Sequence, residues 1–311
     1  MRAVMLDEPI VERHSPWRTS MRVPLAWLGG LVGKWQILRE HKSFRQAPFV
    51  TVSRLLNWRL RSALGIPATV QLPKWGSRLY LPALWLGAGK MIFAFRESCE
   101  TELAHLEHFV SPGVTFLDIG ANYGIYTVAA ASLVGSTGQV LSFEPCIDTF
   151  AILSRNVEIN HLRNVRLFEL ALSSRDEKAR LYHHARGADK FSLGRMGGNS
   201  LDFEEVVTRT LDTVLGDEMT RLDFMKIDVE GAEELVLRGA ERLINKHFPT
   251  ILFEINPEAA RNLDLDPHGS WSVLNRWGYQ FFSMSEEGDL RALSCPPLGG
   301  NVIAMHGKPD R

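Results

Sequence analysis

Cysteine is scarce in this chain and follows no pattern. The 311 residues hold three, Cys99, Cys146 and Cys295, far apart and without a C-x-x-C pair. That argues against a disulfide framework or a cysteine zinc site and suits a reducing, cytoplasmic compartment. Histidine offers no metal signature either. His105 and His108 lie three apart and His183 and His184 are adjacent, with no further ligands in a zinc spacing. Long apolar runs are also missing. Val23 to Leu38 is broken by Gly29, Gly30, Gly33 and Lys34, short of the roughly 20 residues of a bilayer span, and Met1 to Arg22 lacks the apolar core of a signal peptide. No internal repeat is visible.

Net charge is nearly absent, at −1, but its distribution is uneven. Residues 1–100 carry 15 Lys+Arg and 6 Asp+Glu, leaving 20 and 30 for the remainder. Six of the eight tryptophans, Trp17, Trp27, Trp35, Trp58, Trp75 and Trp85, fall in that basic part. Basic residues among aromatics suit a nucleic-acid surface, peripheral membrane contact or a carbohydrate platform. The plainer expectation is an accessory region whose tryptophans pack against a catalytic core.

With 45% hydrophobic residues, a chain of this length can bury the core of one to two domains. Phe49 to Leu64 has helical spacing and stops at Gly65 and Pro67. Ala68 to Leu72 and Arg78 to Leu81 flank a turn and predict a hairpin. A helix is expected over Glu97 to Val110. Strands at Val114–Ile119, Gln139–Phe143 and Val165–Leu170 then alternate with helices at Ile125–Val134 and Thr149–Asn160, which predicts a parallel sheet with helices on both faces. Ser173 to Thr208 holds a polar stretch, Arg186 to Ser200, expected to be a binding loop or lid. Further on come a strand at Leu222–Ile227, a helix at Gly231–Asn245, a strand at Thr250–Ile255, a helix at Trp271–Trp277 and strands at Tyr279–Met284 and Asn301–Met305.

The most telling segment is Phe116-Leu-Asp-Ile-Gly-Ala-Asn-Tyr-Gly124. An apolar strand ends at Asp118, turns through Gly120 and Gly124 and enters a helix, whose free N–H groups suit a carboxylate or a phosphate. The next strand ends at Glu144, where an acid accepts hydrogen bonds from ribose hydroxyls. A dinucleotide fingerprint needs a middle glycine to clear room for the pyrophosphate. Here that position is Asn122.

Together Asp118-Ile-Gly-Ala-Asn-Tyr-Gly124, Phe143-Glu-Pro145 and Met225-Lys-Ile-Asp-Val-Glu-Gly-Ala-Glu233 resemble the FkbM family of S-adenosylmethionine-dependent methyltransferases. The resemblance covers residues 97 to 260. It implies a Rossmann-like class I methyltransferase fold: a mostly parallel seven-stranded sheet with helices on both faces, closed by an antiparallel hairpin and extended at its amino terminus by a helix and β-hairpin. Residues 1–96 would be the basic accessory region and 97–311 the methyltransferase domain. Asp118, Gly120, Ala121, Asn122 and Gly124 would cradle the methionyl part of the cofactor, Glu144 its ribose, and Leu170 and Ala171 its adenine.

Asp228 and Glu230 close the fourth strand, beside the place where the methyl group must be presented. A hydroxyl acceptor needs a base for its proton. Asp228, Glu230 and Glu254 are the candidates, and Glu233 reads as a helix-terminus acid. Asp228, Glu254 and Asn256 also offer oxygen ligands for a divalent metal, although no metal is favoured. The acceptor implied is a small molecule or glycan. RNA methylation through the basic region and a non-catalytic nucleoside-binding module are the alternatives.

Overall fold

The computed structural model describes residues 39, 41–84, 87–183, 191–193 and 203–307. Its strands, in chain order, are β1 (Ala68–Leu72), β2 (Ser77–Leu81), β3 (Thr115–Ile119), β4 (Gln139–Phe143), β5 (Val165–Phe168), β6 (Ala171–Leu172), β7 (Glu177–His183), β8 (Phe191–Ser192), β9 (Phe203–Arg209), β10 (Phe224–Ile227), β11 (Thr250–Ile255), β12 (Tyr279–Met284), β13 (Leu290–Leu293) and β14 (Gly300–His306). Eight form the main sheet, ordered β13-β12-β14-β11-β10-β3-β4-β5. The run from β11 to β5 is parallel throughout. β14 runs antiparallel to both neighbours, and β13 antiparallel to β12. This is the expected Rossmann-like sheet with one strand more than seven. The extra strand, β13, is a largely exposed edge whose Leu-Arg-Ala-Leu sequence carries no apolar alternation.

Alternation along the strands builds two cores. Phe116, Phe224, Leu252 and Ile303 point to one face. Their neighbours Leu117, Met225, Phe253 and Val302 point to the other. The first face is covered by the helix Ile125–Val134 and by amino-terminal elements: Trp58 of the helix Pro48–Ala63, Trp75 and Leu79 of the β1–β2 hairpin, and Phe93 of the helix Ala88–Phe95. Trp58 is fully buried. Helices Leu211–Leu215, Glu233–Arg238, Glu241–His247 and Gly269–Arg276 cover the second face. Trp17, Trp27, Trp35, Trp85 and the stretch from Val23 to Leu38 lie outside the described residues.

Two expected helices fail locally, each for a physical reason. The helix expected over Glu97–Val110 is broken into short turns, of which only Thr101–Ala104 is α-helical. Glu100 and Glu102 both turn toward Asn301, with Nδ2 at 3.5 and 3.0 Å, and residues two apart on a continuous helix face away from each other. The helix expected over Gly231–Asn245 divides at Gly239, where a Cβ would lie 2.0 Å from the Ser173 carbonyl oxygen. Between Ser173 and Thr208, β7 and β9 pair over six register positions, and with β6 and β8 they form a small second sheet. Most of Arg186–Ser200 lies outside the described residues.

Candidate active site

Chain order reverses beside β3: β4 and β5 lie on one side of it, β10 and β11 on the other. In open α/β sheets such a switch point leaves a crevice at the carboxyl strand ends. Here the crevice is a pocket open to solvent at its mouth. Gly120, Asn122, Glu144, Leu170, Ala171, Asp228 and Glu230 all line it. Leu181 and Leu193, from the small sheet, add an apolar wall that the sequence did not signal.

The loop after β3 is held by the backbone of β4, since the Gly120 and Ala121 N–H groups both donate to the Phe143 carbonyl at 3.0 Å. Gly120 has φ +75°, and its bare Cα lies against the carbonyl of Asp228. Asn122 also takes a left-handed conformation, φ 51°, which asparagine tolerates better than most residues. Asp118, Ala121 and Gly124 stand behind this lining. Ala121 is buried, and a Cβ on Gly124 would meet the Leu153 side chain.

Asp118 is fully buried. Its Oδ2 accepts from the Thr127 hydroxyl at 2.6 Å, and Thr127 also meets Ser142 at 2.8 Å. Its Oδ1 has no partner among the described residues. Burial raises the Asp118 pKa and the nearby Lys226 ammonium pulls it back. A buried carboxylate oxygen without a donor is costly, and a ligand ammonium would satisfy it.

Glu144 is both a cap for the helix after β4 and part of the pocket. Oε1 accepts from the Cys146 N–H at 3.0 Å and the Thr149 hydroxyl at 2.9 Å, while Oε2 accepts from the Asn122 N–H at 2.8 Å. A carboxylate has about four acceptor positions, so one remains for a hydroxyl of the ligand. Burial pushes its pKa up to about 7, against the pull of those three donors.

At the end of β10, Lys226 and Asp228 share a side, as strand alternation requires, with Nζ to Oδ2 at 3.2 Å. Lys226 is almost fully buried and lies 4.8 Å over the Tyr126 ring, whose hydroxyl donates to Glu100 at 2.7 Å. Despite desolvation, Asp228, Asp118 and Glu100 together raise the Lys226 pKa. Alternation in the sequence puts Lys226 on the Asp228 side of the strand but assigns it no role, although a lysine inside a strand covered on both faces signals a buried partner. Glu233 caps the β10 loop: Oε1 accepts from the Val229 and Gly231 N–H groups at 3.0 and 3.3 Å, and burial raises its pKa to about 8.

Glu254 does not line the pocket, yet carboxylate oxygens of Asp228, Glu233 and Glu254 lie within 4.8 Å of one another. Glu233 is thus the third carboxylate of this cluster. Asn256 Oδ1 accepts from the Ala259 N–H at 3.2 Å and caps its own helix.

The ligand chemistry follows from the charge of the lining. Among the described residues it presents three carboxylates, Glu144, Asp228 and Glu230, and no lysine or arginine. A pyrophosphate would be repelled, whereas a nucleoside carrying a sulfonium and an ammonium matches it. The Methyltransferase FkbM domain profile matches residues 118–281, which begin at Asp118 and include every strand end of the pocket. The chain belongs to the FkbM methyltransferase family. Its cofactor is S-adenosylmethionine, and residues 118–281 are a methyltransferase domain.

Among curated relatives, Methyltransferase 1 of Beauveria bassiana (strain ARSEF 2860) is 26% identical over 179 residues, 46% of this chain and 68% of that protein. Methyltransferase sdnD of Sordaria araneosa is 26% identical over 155 residues, 40% of this chain and 60% of that protein. A solved FkbM methyltransferase from Methylobacillus flagellatus KT is 17% identical at a TM-score of 0.41; the match covers 70% of this chain and 53% of that one. This chain therefore spans little more than half of that solved enzyme.

Proposed function

We propose that this FkbM methyltransferase moves the cofactor's methyl group onto a hydroxyl of a small molecule or glycan. The observation that carries the reading is Asp228, a carboxylate in the same pocket as Glu144 and 3.2 Å from a buried lysine. When bound, S-adenosylmethionine supplies an electrophilic methyl group on a sulfonium. The residues supply orientation and proton acceptance. The Gly120–Gly124 turn and the start of the helix Ile125–Val134 would receive the cofactor's carboxylate, Asp118 behind that turn would offer its negative charge to the amino-acid ammonium, Glu144 Oε2 would accept from one ribose hydroxyl, and Leu170 and Ala171 would flank the base.

Asp228, held by Lys226, accepts the proton of the attacking hydroxyl, with Glu230 on the same lining and Glu254 behind it. Orienting two reactants in this way can contribute roughly 7–11 kcal/mol. In this reading residues 1–96 are an accessory region whose described part braces the domain, since Trp58 and Trp75 are buried in the same core as Phe116.

The test is transfer of labelled methyl from S-adenosylmethionine into fractionated metabolite and glycan extracts. The expected product is a methyl ether, stable to mild alkali, and Asp228→Asn should abolish transfer while cofactor binding persists. Label recovered in RNA, or released by mild alkali as from an ester, would overturn the hydroxyl assignment.

A further inference from the structure

The helix Pro48–Ala63 is apolar on the wrong side as well as the right one. Its inward side buries Thr51 and Trp58, with Trp58 against Phe93 at 5.0 Å. Its outward side carries Leu56 and Leu60, and Leu64 follows one turn on, all three 62% exposed at a spacing of four residues. Phe49, 89% exposed, extends that row toward the helix start, with Val50 and Ile66 beside its two ends. Of the eleven large exposed hydrophobics among the described residues, six fall between 49 and 66. A contiguous apolar patch of this kind marks an interaction surface.

The charges around the stripe identify its partner. Residues 41–66 contain five basic side chains, Lys42, Arg45, Arg54, Arg59 and Arg61, and no acid. Arg54 and Arg61 are held along the helix flanks, donating to the Ala94 and Pro67 carbonyls at 3.1 and 2.9 Å. Lys42 and Arg45 are held by Glu286, and the leucine and phenylalanine stripe that follows carries only basic charge of its own, the composition of a helix that lies in an anionic membrane interface. We propose that this face docks the enzyme on an anionic lipid surface, with Phe49, Leu56, Leu60 and Leu64 entering the headgroup layer and the arginines meeting lipid phosphates. The arrangement needs no membrane span, and among the described residues no helix is long and apolar enough to form one.

The experiment uses the full chain, sedimented with vesicles of phosphatidylcholine alone or with about one-third phosphatidylserine. Binding to the anionic vesicles only, weakened by salt, is expected. The Leu56→Ser/Leu60→Ser variant, both positions being exposed, should partition about tenfold less or weaker still while it keeps cofactor binding. A polarity-sensitive dye on Leu60→Cys, in a Cys295→Ser background, should report a wet site that becomes apolar only when anionic vesicles are added. Absence of wild-type binding, or equal binding by the double variant, would overturn the proposal. So would a dye that is already apolar without vesicles: independent of protein concentration, it would show residues 1–38 covering the stripe, and dependent on it, a second copy.

Discussion

Replacing Gly120 by alanine should separate the two halves of the active site. An added Cβ at this φ of +75° would lie 1.9 Å from the Asp228 carbonyl oxygen and 2.9 Å from its carbon, so backbone meets backbone and no rotamer relieves the overlap. Restoring ordinary contact moves the end of β3 or β10 by about 1 Å, in a core packed too tightly to absorb it. The left-handed backbone costs an L-residue roughly 1–2 kcal/mol, and overpacking typically adds about 1–3 kcal/mol. A loss of about 2–5 kcal/mol leaves a folded protein if the parent has ordinary stability. Cofactor affinity should fall at least about tenfold, and methyl transfer further, since a displacement of about 1 Å at a reacting group can cost about a hundredfold. Gly124→Ala is the control. Its φ is similar, +82°, but the new Cβ meets the end of the Leu153 side chain at 2.4 Å, which can rotate away. Thermal melts and calorimetric titration with S-adenosylmethionine decide the matter. If Gly120→Ala melts and binds like the parent, or if Gly124→Ala is equally damaged, the reasoning is wrong.

Glu144, with a pKa near 7, should become ionised when a ribose hydroxyl donates to it, so cofactor binding near pH 6.5 should release protons and strengthen as pH rises through about 7. Titration in buffers of different ionisation enthalpy measures this, and Glu144→Gln should remove the release. Because Glu144 and Glu233 bind protons more tightly folded than unfolded, they favour the folded state most below their ordinary range near 4.5, and that contribution is lost as pH rises through about 7 and about 8. Denaturant melts of the ligand-free protein across this range should show the decline, reduced in Glu233→Gln. Glu233→Ala, by contrast, leaves the Val229 and Gly231 N–H groups without their acceptor and should cost about 1–3 kcal/mol for each buried group at pH 7. Lys226→Met removes the cation shared by Asp118, Asp228 and Glu100 and should destabilise by about 3–5 kcal/mol, read from the denaturation midpoint; an unchanged midpoint would show that the buried charges are compensated elsewhere.

Strands on the buried sheet were legible because their apolar runs end abruptly at acids and glycines. β4, β11 and β12 and the helix Ile125–Val134 lie where the periodicity places them. The pocket was legible for the same reason, since Gly120, Asn122, Glu144 and Asp228 stand at strand ends that only the sheet order can bring together. Interactions between distant segments left weaker traces. Nothing local to Glu97–Val110 says that Glu100 and Glu102 must both reach Asn301, and Gly239 looks like a tolerated helix residue until Ser173 is packed on it. The β7 and β9 strands, Glu-Lys-Ala-Arg-Leu-Tyr-His and Phe-Glu-Glu-Val-Val-Thr-Arg, lack a clean polar–apolar alternation, and their pairing became apparent only across the intervening segment.

The central claim, that the pocket between β3, β4 and β10 holds S-adenosylmethionine with Glu144 on its ribose, is tested most directly by calorimetric titration of the wild type and Glu144→Ala with the cofactor. Saturable one-to-one binding by the wild type, and its loss or severe weakening in a variant whose fold is verified by circular dichroism, is the expected result. Absence of wild-type binding would contradict the cofactor assignment, and undiminished affinity in the variant would remove Glu144 from the site.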